Sequence, residues 1–193
     1  LKLEHFFKLK GLLSGGTSLM LQIPKRRSYD FDLFFPHEIK TNFLREANKA
    51  FDRKLEILIN TSEELTFVAL KKLKISLIFF PFKRKYEPVL FNDFIRLSSY
   101  KDIASDKAYA IGRRPEYRDY IDLFFILKSN LPLKQIIEDA KEKFHGEFSE
   151  KLFLSQLIYF EDLKDFTVEF IYEKYSVDEV KSFFKDMISE LNI

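Results

Sequence analysis

The spacing of apolar positions along the chain changes character near Leu97. Before it, short apolar runs follow one another with the period of two that strands show. Residues 55–59, 65–70 and 73–80 are rich in strand formers and predict consecutive strands of one sheet. Residues 6–14 give another apolar run that ends at Gly15 and Gly16, so a first strand is expected there. Thr17 is placed to cap a short helix with the apolar body 19–23, which Pro24 interrupts. Residues 28–35 alternate acidic and aromatic side chains and predict the next strand. Ile39, Phe43, Ala47 and Ala50 recur at helical spacing within 38–51. After Leu97 the period lengthens: 100–112, 117–129, 133–144, 148–163 and 177–191 all read as amphipathic helices. The pattern predicts an α+β fold, a mixed sheet with packed helices followed by a helical second half. The expected organisation is a core over 1–97 and a helical region over 98–193 in the same compact unit, with no internal repeat.

Composition narrows this picture only slightly. The 193 residues are 46% apolar, with 23 phenylalanines and no tryptophan, enough for a substantial core. A net charge of +2 neither demands nor excludes a nucleic-acid partner. The absence of cysteine removes disulfides, thiolate zinc sites and thiol nucleophiles within the chain, and fits a cytoplasmic protein. The apolar runs 76–82 and 121–127 are too short to span a bilayer, so no membrane partner is expected. No secretory pattern opens the chain, which begins at Leu1 rather than methionine and so leaves room for a leading segment.

The chemistry is concentrated in Ser14-Gly15-Gly16-Thr17-Ser18 followed by Asp30-Phe31-Asp32. Residues two apart on a strand share a face, so Asp30 and Asp32 are expected as neighbours. Two carboxylates roughly 5–6 Å apart repel by about 3 kcal/mol at an effective dielectric near 20. A divalent cation between them relieves that repulsion, and magnesium accepts such hard oxygen ligands while keeping positions open for phosphates. A glycine pair entering a helix lets backbone N–H groups approach a phosphate, and Thr17 and Ser18 add hydroxyl donors. No Gly-Lys-Ser/Thr follows, so this is not a Walker loop. His5, His37 and His145 lack ligand spacing.

A glycine-glycine turn, a helix and then Asp-x-Asp resemble the nucleotidyltransferases related to DNA polymerase beta. The wider strings Leu13-Ser14-Gly15-Gly16-Thr17-Ser18-Leu19 and Arg26-Arg27-Ser28-Tyr29-Asp30-Phe31-Asp32-Leu33-Phe34 resemble the AbiEii/AbiGii toxin family. So do Asp102-Ile103-Ala104-Ser105-Asp106-Lys107, Arg118-Asp119-Tyr120-Ile121-Asp122-Leu123 and Leu157-Ile158-Tyr159-Phe160-Glu161-Asp162. The resemblance implies a nucleoside triphosphate substrate with Mg2+. Asp30 and Asp32 would be catalytic and hold the metal, and Gly15, Gly16, Thr17, Ser18 and Lys107 would bind the nucleotide. It further implies nucleotidyl transfer to an acceptor, RNA or protein among the candidates, and a separately encoded antitoxin. The family pattern places a third carboxylate where this chain has Ser76. A hydroxyl is a poor base, so the alternative is a degenerate nucleotide-binding or protein-interaction module of the same fold.

Bland readings stand beside these. Lys107 could coat an exposed helix, Arg118 and Asp122 are spaced to pair along one helix face, and Asp119 could cap its helix or pair with Arg114. The clusters Lys25-Arg26-Arg27, Lys71-Lys72 and Lys83-Arg84-Lys85 could follow an RNA backbone or form solvated faces.

Overall fold

A computed structural model of the chain describes residues 2–191; Leu1, Asn192 and Ile193, at the ends of the two expected segments, lie outside the described residues. The backbone divides into two compact units. One takes Leu1–Ser18, Ser28–Lys83 and Glu87–Ser99; the other takes Leu19–Arg27, Arg84–Tyr86 and Tyr100–Ile193.

The first unit is built on one seven-stranded sheet. Its strands are β1 (Leu12–Ser14), β2 (Phe31–Phe35), β3 (Leu55–Asn60), β4 (Glu64–Ala69), β5 (Leu73–Phe79), β6 (Val89–Phe91) and β7 (Ile95–Leu97). They lie in the order β3-β4-β5-β2-β1-β7-β6. The β2/β5 and β1/β7 pairs are parallel and the others antiparallel, which makes the sheet mixed.

Alternation sorts the central strands into two unlike faces. Leu13, Leu33, Phe35, Leu65, Phe67, Ile75 and Leu77 form a buried apolar cluster with Phe6 and Phe7 of helix α1 (Glu4–Lys8) and Phe43 and Ala47 of helix α3 (Thr41–Ala50). The opposite face carries Ser14, Asp32, Ser76 and Thr66.

Residues 6–14 depart from the expected strand. Phe6 and Phe7 are both buried, which a helical turn permits and a strand would oppose by sending them to opposite faces. Lys10 at φ 68° turns the chain out of α1, and only Leu12–Ser14 pair in the sheet. Helix α2 (Gly15–Gln22) begins at the first glycine, so Thr17 lies inside its opening turn and does not cap it. Strand β2 starts at Phe31, later than expected, and β6 and β7 were not expected at all. Their signal is local: Asn92 and Asp93, both at positive φ, make a tight turn between Val89-Leu90-Phe91 and Ile95-Arg96-Leu97.

The second unit is helical: α4 (Tyr100–Ile111), α5 (Tyr117–Lys128), α6 (Leu133–Phe144), α7 (Glu150–Ile158) and α8 (Val177–Ser189). Helix α5 is its axis, with every residue from Tyr120 to Leu127 buried. Helix α7 is shorter than the expected 148–163 because Ser149 caps its start and the chain is extended again at Tyr159. Residues 25–27 join this unit by pairing with 169–171: Arg27 N–H donates to Glu169 O, and Ile171 N–H donates to Lys25 O.

Candidate functional site

Strand register builds a polar row on one face of the sheet. Ser14 of β1 is opposite Asp32 of β2, Asp32 is opposite Ser76 of β5, and Ser76 is opposite Thr66 of β4. Asp30 immediately precedes β2, two residues before Asp32. Asp30 and Asp32 are both partly exposed, while Ser14, Ser76 and Thr66 are buried. The buried Ser14 hydroxyl has no hydrogen-bond partner among the described residues. An orphaned polar atom beside a carboxylate is costly unless water or a ligand satisfies it.

Gly15 explains why the turn needs glycine. Its φ is +64°, and a Cβ there would lie 2.8 Å from Asp32 Oδ2. Any side chain would collide with the carboxylate. The glycine turn and Asp32 are therefore in direct contact.

Hydroxyls of the same segment brace the backbone. Thr17 is buried; its Oγ1 donates to the Asp30 carbonyl and lies 3.1 Å from Ser28 Oγ. Ser18 Oγ donates to the Ser98 carbonyl at 3.3 Å. Thr17 thus ties the start of α2 to the residue that leads into β2. The structure gathers Gly15, Thr17, Asp30, Asp32 and Ser76 in one unit, with Gly16 in the first turn of α2.

Lys107 belongs to the second unit and is neither solvent-coating nor alone. Its ammonium pairs with Asp119 Oδ1 and, at 2.9 Å, with Asp122 Oδ2. Arg26 holds the same Asp122 with two bonds, Nε to Oδ1 at 2.7 Å and Nη2 to Oδ2 at 2.8 Å. Burial alone would lower the Lys107 pKa, but the Asp119 and Asp122 charges hold it above the ordinary lysine value. Burial would likewise raise Asp122, yet Lys107 and Arg26 bring it below the usual carboxylate range.

Two expected pairings are corrected. Asp122 pairs with Arg26 and Lys107 while Arg118 on its own helix is exposed; Asp119 pairs with Lys107 while Arg114 meets Glu116 at 2.6 Å. Arg26, expected in a surface cluster, is 7% exposed. Sequence spacing along one helix could not reveal partners that come from other segments.

A second buried network surrounds Lys143, which contacts Asp102 Oδ1 and Asp106 Oδ1, both at 2.8 Å. Arg84 Nη1 reaches Asp106 Oδ2 at 2.5 Å, and Lys85 reaches Asp139 at 2.9 Å. Tyr86 donates to Asp139, and burial with that carboxylate pushes its hydroxyl up to about 12. Arg84 therefore serves the fold of this unit and leaves the expected basic surface, while Lys85 stays exposed and pairs with Asp139 and Glu142.

A cleft of about 520 Å³ lies along α3, lined by Leu44, Arg45, Asn48, Lys49 and Arg53 among others. Helix α3 packs on the apolar face of the sheet, so this cleft is remote from Asp32. No described helix is long and apolar enough to cross a membrane.

Known proteins resemble this chain over almost its whole length. The family described as "Nucleotidyl transferase AbiEii toxin, Type IV TA system" matches residues 3–192. An uncharacterized protein of Aquifex aeolicus is 33% identical over 184 residues, covering 92% of this chain and 86% of its own. Two solved structures from Helicobacter pylori share the fold at 15% identity. One, solved as a candidate nucleotidyltransferase, has a TM-score of 0.57, with 99% of this chain and 92% of that one covered. The other, JHP933, has a TM-score of 0.54, with 99% and 89% covered. The polar row on a mixed sheet thus lies in a nucleotidyltransferase fold, and the chain belongs to the AbiEii nucleotidyl transferase toxin family.

Proposed function

We propose that the protein transfers a nucleotidyl group from a nucleoside triphosphate to an acceptor hydroxyl. The observation that carries this reading is the contact of the Gly15 turn with Asp32, which brings a helix N-terminus and a carboxylate to one place. Backbone N–H groups at the start of α2 would hold phosphate oxygens. The Thr17 and Ser18 hydroxyls brace that turn from behind, so their contribution is to its shape. Lys107, expected from the sequence to bind the nucleotide, is buried against Asp119 and Asp122 and keeps a structural place in the helical unit.

Asp30 and Asp32 suit a magnesium ion. Among the described residues no group of three or more His, Cys, Asp or Glu side chains is gathered for a metal. Magnesium accepts such a sparse set, taking one or two carboxylates from the protein and the remaining ligands from phosphates and water. The partnerless Ser14 hydroxyl and the space kept open at Gly15 also fit a ligand beside Asp32. When bound, the ion supplies charge neutralisation for the triphosphate and its leaving group. The chain's own residues orient the α-phosphate and the incoming hydroxyl. We assign the reaction to the cytoplasm, with RNA or protein as acceptor and an antitoxin encoded elsewhere.

Ser76 favours a second reading, a module that binds triphosphate without transferring it. It lies opposite Asp32, where a base would serve the acceptor. Calorimetric titration with each triphosphate, with and without magnesium, is paired with transfer of α-labelled triphosphate to cellular RNA and protein. Magnesium-dependent binding that Asp30→Asn removes, together with label transfer, supports the enzyme. Binding without transfer supports the module, and no binding overturns both.

A further inference from the structure

The two edges of the sheet are unlike. Strand β6 presents three residues to its edge, while β3 presents Leu55–Asn60, and every residue from Glu56 to Asn60 is exposed. Ile57, Leu58 and Ile59 are 40%, 50% and 40% exposed, three consecutive aliphatic side chains on the rim of an otherwise well-covered sheet. Among the described residues, the backbone of 55–60 bonds only to β4, so its groups that point the other way are unpaired. We propose that β3 is an interface between two copies of this chain, which pair antiparallel about a two-fold axis at Leu58 and join their sheets edge to edge. The inference is independent of the transfer reading above.

Charge along the segment selects a second copy as the partner. Arg53 and Lys54 precede the strand and Glu63 follows it; all three are exposed, and none has an ion-pair partner among the described residues. With the axis at Leu58, residues equally far before and after it face each other across the two strands. Ile57 then meets Ile59, Glu56 meets Asn60, and Arg53 meets Glu63, each twice. Opposite charges facing across strands stabilise the pair and like charges destabilise it, so this polarity favours the antiparallel copy over a parallel one.

Edge strands that stay solitary usually carry lysine, proline or an inward charge, and 57–59 has none of these. The guard that β3 does have is a bulge: Ile57 is opposite Phe67 and Ile59 is opposite Thr66, which leaves Leu58 without a partner on β4. That irregularity falls on the axis, so both copies bend at the same place and pair on either side of it. A contact confined to one strand and its flanks is at the small end of interfaces, below about 1,200 Å², and the dimer is therefore in exchange with monomer.

Sedimentation velocity over a roughly hundredfold range of concentration should show monomer converting to dimer. The chain has no cysteine, so Leu58→Cys supplies one thiol per copy. Facing Cα atoms on antiparallel strands lie about 4.5–5.5 Å apart, within disulfide reach, and mild oxidation should link Leu58→Cys chains in pairs. Leu90→Cys on β6, more exposed at 66%, should stay monomeric under the same oxidation. The exposed positions allow Ile57→Lys/Ile59→Lys to fold as wild type by circular dichroism while remaining monomeric throughout. Arg53→Glu and Glu63→Arg should each weaken the dimer about tenfold, and the double exchange should restore it. Wild type that stays monomeric at the highest concentration overturns the proposal. So does a dimer that survives Ile57→Lys/Ile59→Lys, or one that links through Leu90→Cys and not through Leu58→Cys, since either places the contact elsewhere.

Discussion

Carboxylates in the two units of this protein live in different surroundings. In the helical unit Asp102, Asp119 and Asp122 are all at least 96% buried, and each meets a cation from another segment. In the sheet unit Asp30 and Asp32 are partly exposed, and Asp32 lies in register with the hydroxyls of Ser14 and Ser76. Charges are kept in an apolar interior only when paired, so the first set is tied to the fold. The second set stays near solvent, where a ligand can reach it. Identical side chains thus divide between structure and chemistry according to who neutralises them.

Asp32→Asn is expected to give the largest effect. It should lower transfer on the order of 10³-fold, since a metal's charge stabilisation is worth several kcal/mol and each 1.36 kcal/mol is tenfold. Its urea unfolding midpoint should move little, by about 1 kcal/mol or less. Single-turnover labelling and equilibrium unfolding on the same preparation measure both. A variant that unfolds readily would place Asp32 with the structural carboxylates and end the contrast.

Asp122→Asn should show the reverse. It removes the charge that faces both Arg26 and Lys107, leaving Lys107 with Asp119. Breaking a buried pair costs about 3–5 kcal/mol, read as a lower urea midpoint. Unfolding free energy unchanged to within about 0.5 kcal/mol would show that these pairs are not what holds the helices.

The same contrast predicts a pH signature. Burial opposes ionisation of Asp106 and Asp122, but Arg84 and Lys143 beside one and Lys107 and Arg26 beside the other bring both below the ordinary value. A lowered folded pKa gives stability that is complete above the unfolded value of about 3.9 and is lost as pH falls through the folded one. Acid unfolding followed by circular dichroism should therefore begin below about pH 4. Each such group contributes a slope of up to about 1.4 kcal/mol per pH unit. Asp122→Asn should flatten that slope, and an identical slope would remove Asp122 from the acid transition.

Much of this was legible before any coordinates. The strands over 55–59, 65–70 and 73–80 and the helical half followed from period alone, because each element buries one face. Asp30, Asp32 and the glycine turn stood out because two acids and two glycines at that spacing are hard to explain by packing. The partners of Asp119 and Asp122 were illegible, since Arg26 lies 96 residues from Asp122 in the chain. Thr17 misled for a related reason: its hydroxyl looked available, and only the approach of Asp30's carbonyl shows it engaged. Thr66 gave no signal at all, because its place opposite Ser76 exists only through the pairing of β4 with β5.

Gly15→Ala is expected to fall between Asp32→Asn and Asp122→Asn in its effect on stability, and it sharpens the comparison most. Alanine there faces two obstacles. Its φ of +64° lies in the left-handed region, which costs roughly 1–3 kcal/mol for a residue with a Cβ. Its methyl would also lie 2.8 Å from Asp32 Oδ2, so the carboxylate must move. The first obstacle acts on folding and the second on the site. The variant should therefore unfold at slightly lower urea while losing most of its magnesium-dependent triphosphate affinity in calorimetry. Gly16→Ala is the matched control, because Gly16 is not in the left-handed region. If Gly15→Ala weakens unfolding resistance but binds triphosphate and magnesium as wild type does, the contact between the turn and Asp32 is packing alone. The sheet unit's carboxylates would then need another explanation for their place near solvent.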